Sequence, residues 1–214
     1  IITIDFADIE NPSIREVNCN FDELGYDLVI VNTGKGHADL SAEYSAVPNE
    51  MKAVARYFGK EVRQQVDEDA GIENVQAIRK AAGDRAVLRA FHFFEENKRV
   101  DAQVKALEEK DFDTFFRKVT ESGDSSWKWL QNCYCNETPD EQSITVALAL
   151  TKLYLDKIGC GVCRVHGGGF AGVIAAFLPK DKTAGYAEYI NKALGDGSAY
   201  VMHIRPQGAI RVEL

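Results

Sequence analysis

A run of glycines near position 170 constrains this chain more than any other feature of its sequence. Four glycines fall within the six positions 167–172, and apolar segments flank them at 161–163 and 173–178. Such a run marks a backbone that adopts positive φ, or that lies against a ligand or another chain segment where a Cβ would clash. Flexible linkers lack apolar flanks, so we expect a loop held between two packed elements. A tight turn between neighbouring strands, which uses glycine for steric reasons alone, is the alternative.

The composition indicates a globular protein. Its 214 residues are 45% apolar and 10% aromatic, enough for one large domain or two small ones. No apolar run reaches the roughly 18 residues that span a bilayer, and residues 1–6 lack the pattern of a secretion signal. We therefore expect no membrane partner and a cytoplasmic location. A net charge of -8 without a basic stripe argues against nucleic acid as a partner and favours small molecules or proteins.

The cysteines allow two interpretations. An odd number, five, in a chain without a secretion signal favours free thiols in a reducing compartment. The pairs Cys133 with Cys135 and Cys160 with Cys163 are also spaced closely enough to supply four thiolates to a zinc ion. Free thiols are favoured, because the first pair lacks the usual two-residue spacer. In addition, Cys163 lies in an apolar run, where it is expected to pack as a small hydrophobic side chain.

Hydrophobic periodicity predicts strands at both ends of the chain and helices between them. Strands are predicted on each side of the glycine run and over 1–6, 14–21, 27–33, 200–204 and 209–214. Helices are predicted over 41–58, 84–110, 111–120, 143–158 and 183–194, with one or two short ones between 59 and 83. Residues 123–126 are expected to break the helical pattern, and the 143–158 helix to be capped by a hydroxyl and ended by Gly159 and Gly161. This order favours an α+β domain over a doubly wound sheet.

Four segments resemble, in the same order, segments of the galactokinases, which are members of the GHMP small-molecule kinase family. The glycine run resembles the family's third signature, and its form at 164–170, Arg-Val-His-Gly-Gly-Gly-Phe, is similar to that of the bacterial galactokinases. The segment at 39–44 reads Asp-Leu-Ser-Ala-Glu-Tyr, and the segment at 89–100 contains Arg-Ala-Phe-His-Phe-Phe, Glu-Asn and Arg-Val. The segment at 121–132 contains Glu-Ser-Gly-Asp-Ser-Ser-Trp and Leu-Gln-Asn. Four ordered matches are more specific than one glycine loop, and they span almost the whole chain.

The resemblance implies that residues 1–214 are the C-terminal domain of a galactokinase-like protein. Two family signatures do not occur in the chain: the early sugar signature around Gly-Arg-Val-Asn-Leu-Ile-Gly-Glu-His, and the Gly-Leu-Ser-Ser-Ser-Ala loop around the ATP phosphates. The family's catalytic aspartate is expected just ahead of Ile1, so the N-terminal domain is expected to be absent from this chain. The implied fold is α+β, an antiparallel sheet backed by helices, with a ferredoxin-like core and extra helices.

The activity that the resemblance implies is transfer of the γ-phosphoryl group of ATP, with Mg²⁺, to the C1 hydroxyl of galactose. Tyr44 matches the tyrosine that lines the family's galactose pocket, where an aromatic hydroxyl offers both an apolar ring and a polar tip. A surface tyrosine at a helix start is the alternative. Gly167, Gly168 and Gly169 are expected to bring the loop close to the sugar and the phosphates. No catalytic residue or metal ligand is expected in this chain, and most ligands of ATP and Mg²⁺ are expected outside it.

Two kinds of side chain have a chemical interpretation that competes with a structural one. His166 is a candidate general base because histidine titrates near neutral pH, but the family uses the upstream aspartate, so packing or hydrogen bonding is favoured. His92 lies among three phenylalanines and is expected to be an interior histidine. Trp127 and Trp129 suggest stacking on a sugar, yet core and lid packing is the favoured role.

Two alternative functions remain open. Some galactokinase relatives sense sugar and nucleotide and control other proteins without turnover, so a binding or regulatory protein is the first. A kinase of the same family acting on another hexose, N-acetylated or 6-deoxy, is the second, since Val173 stands where galactokinases more often have threonine or cysteine. The upstream signatures distinguish the first alternative, and a panel of sugars distinguishes the second.

Overall fold

The computed structural model describes residues 1–6, 8, 10–17, 19, 25–34, 36, 40–61 and 66–203. These residues form a two-stranded antiparallel hairpin, β1 with β2, and a four-stranded sheet with the edge-to-edge order β4-β5-β3-β6. Each neighbouring pair in the larger sheet is antiparallel. The strands are β1 Ile2–Asp5, β2 Ser13–Glu16, β3 Tyr26–Asn32, β4 Val162–His166, β5 Val173–Pro179 and β6 Ala199–Met202.

Seven α-helices and one π-helical turn are formed by the described residues. They are α1 Ser41–Tyr57, α2 Glu68–Glu73, α3 Val75–Ala82, α4 Asp84–Glu109, α5 Phe112–Ser125, the π-helical turn Ser126–Leu130, α6 Ser143–Ile158 and α7 Lys180–Leu194. Without the inserted segment α1 to α5, the order is β3-α6-β4-β5-α7-β6, the βαββαβ arrangement of ferredoxin-like folds. The predicted α+β class is confirmed. None of the helices in the described ranges is both long and apolar enough to cross a membrane.

Helices α6 and α7 cover one face of the four-stranded sheet. Val29 of β3 pairs with Ala176 of β5, and both side chains are fully buried against Ile144 of α6 and Ile190 of α7. Alternate residues of the strands supply this core because successive side chains point to opposite faces of a sheet. Burying one valine or isoleucine side chain contributes about 1.5–3 kcal/mol, so this layer stabilises the sheet.

Helices α4 and α5 pack on the opposite face. The Phe177 ring of β5 lies against Phe115 and Phe116 of α5, with ring centroids 6.1 and 5.8 Å apart. Leu107 of α4 and Val17, which follows β2, belong to the same apolar cluster. The sheet is therefore covered by helices on both faces, and residues of β4 and β5 that do not face α6 and α7 face α5.

The predicted helix break at 123–126 is wrong. Helix α5 runs through Gly123 to Ser125, and the π-helical turn continues directly from it. The glycine is required by close approach, because a Cβ there would lie 2.9 Å from the Arg164 Cβ of β4. Ser122 and Ser125 are buried and hydrogen-bonded to charged or polar side chains of α4, so they stabilise the helix instead of ending it.

The start of α6 also differs from the prediction. Gln142 occupies the N-cap position and no side-chain cap is formed, so the expected hydroxyl cap is wrong. The hydroxyl of Ser143, the first helical residue, lies 3.2 Å from the Thr33 hydroxyl instead. The end of α6 is as predicted, since Gly159 has the left-handed φ of 71°.

Most of the remaining boundaries agree to within a few residues, but β2 ends at Glu16, before Val17 and Cys19, and α5 continues five residues beyond its predicted end at position 120. Two short helices, α2 and α3, are found between 59 and 83, as predicted. Helix α7 begins at Lys180, three residues before its predicted start, directly after Pro179. The predicted strand at 209–214, the end of the one at 200–204 and part of the one at 14–21 lie outside the described residues.

Candidate functional site

The loop at 167–172 joins β4 to β5 and contains four residues of positive φ. These are Gly167 at 76°, Gly169 at 84°, Phe170 at 60° and Gly172 at 97°. Glycine adopts this region without the strain that a Cβ imposes. Phe170 adopts it because its side chain is buried, with 5% of its surface exposed, and packing holds the residue there. The loop is therefore packed into the fold, as the apolar flanks of the glycine run predict.

Two of the glycines lie too close to other segments to carry a side chain. A Cβ on Gly168 would lie 2.5 Å from Cε1 of Tyr44, and one on Gly169 would lie 2.1 Å from the Asn132 carbonyl oxygen. Gly167 differs, since it is exposed and no atom lies within 4 Å of its Cβ position. The run thus combines positive φ with close approach, and the approach is to the protein's own chain.

Tyr44, in the first turn of α1, binds the loop through both its hydroxyl and its ring. The hydroxyl donates to the Gly169 carbonyl oxygen at 2.6 Å, and the ring meets that of Phe170 edge-on with centroids 5.4 Å apart. The side chain is half-buried, and burial raises its pKa above the usual value of 10. The structure therefore brings together Tyr44, Gly168 and Gly169, whereas Gly167 stays exposed at the start of the loop.

Asn132 holds the loop from the other side, and sequence reasoning gave it no role. Its Nδ2 donates to the Gly168 carbonyl oxygen at 3.1 Å, and its own carbonyl oxygen accepts from the Phe170 N–H at 2.5 Å. The residue is 3% exposed. The π-helical turn Ser126–Leu130 and the left-handed Gln131, with φ of 56°, lead the chain into this position. The only available signal was its place in the segment 121–132, which resembles the galactokinases.

Thr33 ties the end of the loop to the central strand. Its N–H and its hydroxyl both donate to the Gly172 carbonyl oxygen, at 2.9 and 2.8 Å. Because the Thr33 proton is used in this way, the Ser143 hydroxyl, 3.2 Å away, is the donor to the Thr33 oxygen. Strand β3, helix α6 and the loop are thus joined at one point.

Arg164 of β4 anchors the start of the motif 164–170 to the helices below the sheet. Its Nη1 lies 2.6 Å from Ser122 Oγ and 3.6 Å from Glu96 Oε1. Glu96 also accepts hydrogen bonds from Ser122 and from Arg99, whose Nε is 2.8 Å from Oε2. Burial acts to raise the pKa of Glu96, but the hydrogen bonds from Ser122 and Arg99 and the charge of Arg164 outweigh it, so the pKa is lowered. An ionised carboxylate therefore links β4 to α4 and α5.

The two histidines considered above lie in opposite surroundings. His92 is 7% exposed, and its Nδ1 lies 2.9 Å from Ser125 Oγ. Burial, assisted by the nearby Arg99 and Arg164, lowers its pKa to about 4, so the ring is neutral near pH 7 and interior, as expected. His166 is exposed at the end of β4, which does not support the packing role, and the alternative role in hydrogen bonding stays a prediction.

The tryptophans do not take part in the loop contacts. Trp127 is half-buried and packs against the core under α6 and α7, and Trp129 is 36% exposed. Trp127 also lines a cleft of about 400 Å³ together with Lys152, Asp156 and Cys163. That cleft includes neither Tyr44 nor the glycines at 167–169.

Paired charges support the helix that carries Tyr44. Arg89 is fully buried, with Nη1 2.9 Å from Glu50 Oε2 and Nε donating to the Leu130 carbonyl oxygen at 3.0 Å. Arg85 pairs with Glu50 at 2.6 Å and lies 3.7 Å from Glu43 Oε2. Burial lowers the pKa of Arg89 although Glu50 acts to raise it, and a guanidinium remains charged at neutral pH. The network joins α4 to α1 and to the end of the π-helical turn.

A cleft of about 530 Å³ opens beside the loop. It is lined by Gly34, Gly36, Leu40, Ala42, Glu43, Cys135, Glu137, Thr138, Glu141, Phe170 and Ala171. Three of these described lining residues are glutamates, and none is lysine or arginine. Carboxylates accept hydrogen bonds from hydroxyl groups but repel phosphates, so this cleft suits a neutral polyhydroxylated ligand better than an anion.

Metal ligands are not assembled in the part of the chain that the structure describes. Within it, no group of three or more His, Cys, Asp or Glu side chains is placed to hold a metal ion. All five cysteines are free. Burial raises the pKa of Cys133 to about 12 and that of Cys163 to about 11, so both thiols stay protonated near neutral pH, unlike the thiolates that bind zinc. The zinc interpretation of the cysteine pairs is therefore not supported.

Comparison with known proteins finds galactokinases among the relatives in sequence, although no family model matches the chain. A galactokinase of Actinobacillus pleuropneumoniae is 27% identical over 172 residues, which cover 80% of this chain and 41% of the relative. A galactokinase of Haemophilus influenzae strain PittEE is 29% identical over 160 residues, covering 72% and 38%, and one of Thermotoga neapolitana is 27% identical over 172 residues, covering 80% and 44%. The chain spans about two fifths of the length of these relatives.

Solved structures show the same fold. The crystal structure of Lactococcus lactis galactokinase complexed with galactose matches 89% of this chain and 47% of its own, with a TM-score of 0.66 and 19% identity. That of L. major mevalonate kinase in complex with R-mevalonate matches 89% and 45%, with a TM-score of 0.50 and 13% identity. At these identities the likeness establishes the fold alone. Together with the sequence matches, it confirms the resemblance to the C-terminal half of the galactokinases.

Proposed function

Because the chain resembles the galactokinases in sequence and fold, we propose that it is the C-terminal domain of a galactokinase and that its N-terminal domain lies outside the 214 residues. In the intact protein, the γ-phosphoryl group of ATP is transferred to the C1 hydroxyl of galactose. The observation that carries the proposal is the contact of Tyr44 with Gly168 and Gly169. It unites two segments, 39–44 and 164–170, that resemble the galactokinases independently in sequence.

In this proposal, Tyr44 and the loop form one wall of the sugar pocket. The Tyr44 hydroxyl is bonded to the Gly169 carbonyl oxygen, so the tyrosine both orders the loop and presents its amphipathic ring at the same place. Gly167, which is exposed and without neighbours at its Cβ position, is the glycine that can be approached most closely by a ligand. The acidic cleft beside the loop adds acceptors for hydroxyl groups, which supports a sugar on this side rather than a phosphate.

The groups that act on ATP are assigned to the remainder of the protein. The described residues contain no metal-binding cluster, and the lining residues of the cleft beside the loop include no cation. Phosphoryl transfer needs positive charge around the transferred group, and Mg²⁺ is commonly held by one or two carboxylates together with substrate phosphates. Following the resemblance to the galactokinases, we place the Mg²⁺ ligands, the catalytic base and the phosphate-binding loop in the N-terminal domain. The role of this chain is then to bind the sugar and to support the loop. The free cysteines are consistent with a cytoplasmic protein.

The test is the activity of the protein made from the complete reading frame that contains this chain. ADP release is measured with galactose, an N-acetylated hexose and a 6-deoxy hexose, and ³¹P spectra identify the phosphorylated carbon. We expect turnover with galactose and a product phosphorylated at C1. Turnover with another hexose only would replace galactose by that sugar. Sugar binding by calorimetry without turnover would contradict the kinase and leave a regulatory protein.

The residue-level test separates the sugar from the nucleotide. Loss of a contact worth about 1.4 kcal/mol changes affinity about tenfold, so we expect Tyr44→Ala to raise the KM for galactose by about tenfold or more and to leave the KM for ATP nearly unchanged. Tyr57→Ala is the matched control, because Tyr57 ends the same helix and is 39% exposed. Equal changes in both KM values would remove Tyr44 from the sugar pocket.

A further inference from the structure

Helix α6 carries an apolar stripe on the side that faces away from the sheet. Val146, Ala149, Leu150 and Leu153 recur at intervals of three and four residues, so they project from one side of the helix, here called the outer stripe. Val146 and Leu153 are 50% and 65% exposed, Ala149 is exposed and Leu150 is half-buried. The opposite side of the helix supplies residues to the core, namely Ile144, Ala147, Leu148 and Leu155.

A helix that is apolar on all sides is normally buried on all sides. Helix α6 has no charged residue between Ser143 and Thr151, and Lys152 is its first. Packing on the sheet covers only one side of this helix. Contiguous apolar side chains that face solvent mark an interaction surface. The outer stripe is therefore expected to be covered by another surface.

Opposite charges lie at the two ends of the outer stripe. Asp140 and Glu141 are exposed just before α6, and Lys157 is exposed in its last turn, on the same side as Leu153 four residues earlier. Among the residues that the structure describes, neither Asp140 nor Lys157 forms an ion pair, whereas Lys152 pairs with Asp156. A negative and a positive charge are thus available to a partner at opposite ends of one apolar surface.

This pattern is complementary to itself when two copies of α6 pack antiparallel. With the helices crossing just after Ala149, Val146 lies opposite Leu153 of the second copy, and Asp140 lies near Lys157 of the second copy. The small side chain of Ala149 lets the helix axes approach closely. A parallel pair would instead place the two copies of Lys157 side by side, where like charges repel, and helix dipoles also favour the antiparallel pair.

We propose that two copies of this protein associate through the outer stripe, with their α6 helices antiparallel. The contact is isologous, so each apolar contact and each ion pair occurs twice. The charges favour a second copy over an unrelated surface, because each end of the stripe carries the charge that complements the other end. A stable interface uses about 20–30 residues a side, many more than the stripe has, so we expect a reversible dimer. The inference does not depend on the proposed function.

The test is the mass of the protein made from the complete reading frame, measured by sedimentation equilibrium at about 1 to 500 μM, the range of weak association. We expect the average mass to rise with concentration toward twice that of the monomer. Leu153→Glu places an unpaired charge inside the contact and should raise the dissociation constant at least about tenfold. Ile72→Glu is the matched control, because it adds the same charge at a helical side chain that is 53% exposed, and it should leave the constant unchanged.

An exchange of charges tests the antiparallel arrangement. Lys157→Glu and Asp140→Lys each replace two attractive pairs by repulsive ones, so each should raise the dissociation constant about three- to tenfold at low ionic strength. The double variant restores the pairs with their signs exchanged, and it should bring the constant back to within about twofold of the unchanged protein. A misfolded single variant would not be repaired by a second substitution at the other end of the helix, so the rescue distinguishes loss of the contact from loss of the fold.

Each other outcome has a single meaning. A protein that stays monomeric over the whole concentration range would overturn the proposal, and so would a dimer that survives Leu153→Glu, because it would use another surface. A double variant that associates no more tightly than the single variants would overturn the antiparallel arrangement. The expected dimer in a protein that phosphorylates no hexose would uphold this proposal and remove the proposed function. The two proposals therefore fail independently.

Discussion

Replacing Gly169 by alanine tests whether contact with Asn132 holds the loop in place. A Cβ at this position would lie 2.1 Å from the Asn132 carbonyl oxygen and 2.6 Å from its Nδ2, so one of the two segments has to move. Overpacking of this kind costs about 1–3 kcal/mol. The φ of 84° adds about 1–2 kcal/mol for a residue that carries a Cβ.

Gly167→Ala is the matched control in the same loop. Gly167 has a similar φ of 76°, but no atom lies within 4 Å of its Cβ position. Both substitutions impose the same kind of backbone strain and reduce the entropy of the unfolded chain equally, so these effects cancel when the variants are compared. We expect Gly169→Ala to lower the free energy of unfolding by about 1–3 kcal/mol more than Gly167→Ala does.

Urea unfolding of the 214-residue chain, followed by tryptophan fluorescence, gives this difference directly. The comparison is valid if the m-values of the two variants agree, because then only the stability of the folded state has changed. Surface substitutions usually change the free energy of unfolding by less than about 0.5 kcal/mol. A difference between the two variants below this value would contradict the conclusion that contact with Asn132 requires glycine at position 169. It would mean that the loop and Asn132 can move apart at no cost in the free energy of unfolding, and that positive φ alone explains the glycine at position 169.

Two further predictions concern buried charge. Arg89→Met should destabilise the chain by about 1–3 kcal/mol, because it removes the hydrogen bond to the Leu130 carbonyl oxygen and one of the two arginines that pair with Glu50. Arg79→Met, which breaks the exposed pair with Asp84, should leave the urea midpoint unchanged, and similar midpoints for the two variants would contradict this. His92 has a pKa of about 4 in the folded chain, below the usual 6.5, so the stability it contributes is present above pH 6.5 and is lost as pH falls toward 4. The loss between pH 7 and pH 5 is about 2 kcal/mol, and His92→Gln should flatten the measured pH dependence by that amount; an unchanged slope would contradict it.

The sheet and its loop were predictable because their signals are local. The apolar run of β3 ends at the turn residues after Asn32, and the glycine run itself predicts positive φ and close approach. Helix α6 combines apolar periodicity with a terminal Gly159, so its course and its C-terminal end are visible in the sequence, whereas the hydroxyl cap expected at its start is not formed. The galactokinase resemblance added what local patterns do not contain, namely the expectation that Tyr44 lies near the glycine loop, and the structure places it against Gly168 and Gly169.

The rest could not be predicted because it depends on contacts between distant segments. Asn132 and Gly168 are 36 residues apart in the sequence, and no feature of the residues around Asn132 indicates that its amide donates to the Gly168 carbonyl oxygen. Gly123 illustrates the second difficulty, since a glycine that breaks a helix and a glycine that lets a helix approach a strand look the same in one sequence. Only the position of Arg164 beneath α5 decides between these roles.

The placement of the helical insertion inside the ferredoxin-like core has a consequence for synthesis on the ribosome. Thr33, directly after the central strand β3, bonds to Gly172, directly before its partner β5, across 139 residues of chain. At roughly 5–20 residues per second, a translating ribosome needs about 7–30 s to deliver the second of these segments after the first. During that interval the apolar β3 has no native strand beside it, while the helices α1 to α5 can already form among themselves. Nascent chains of this protein therefore pass through a long stage in which the helical layer is present and the sheet is not, and chaperones are expected to bind at that stage.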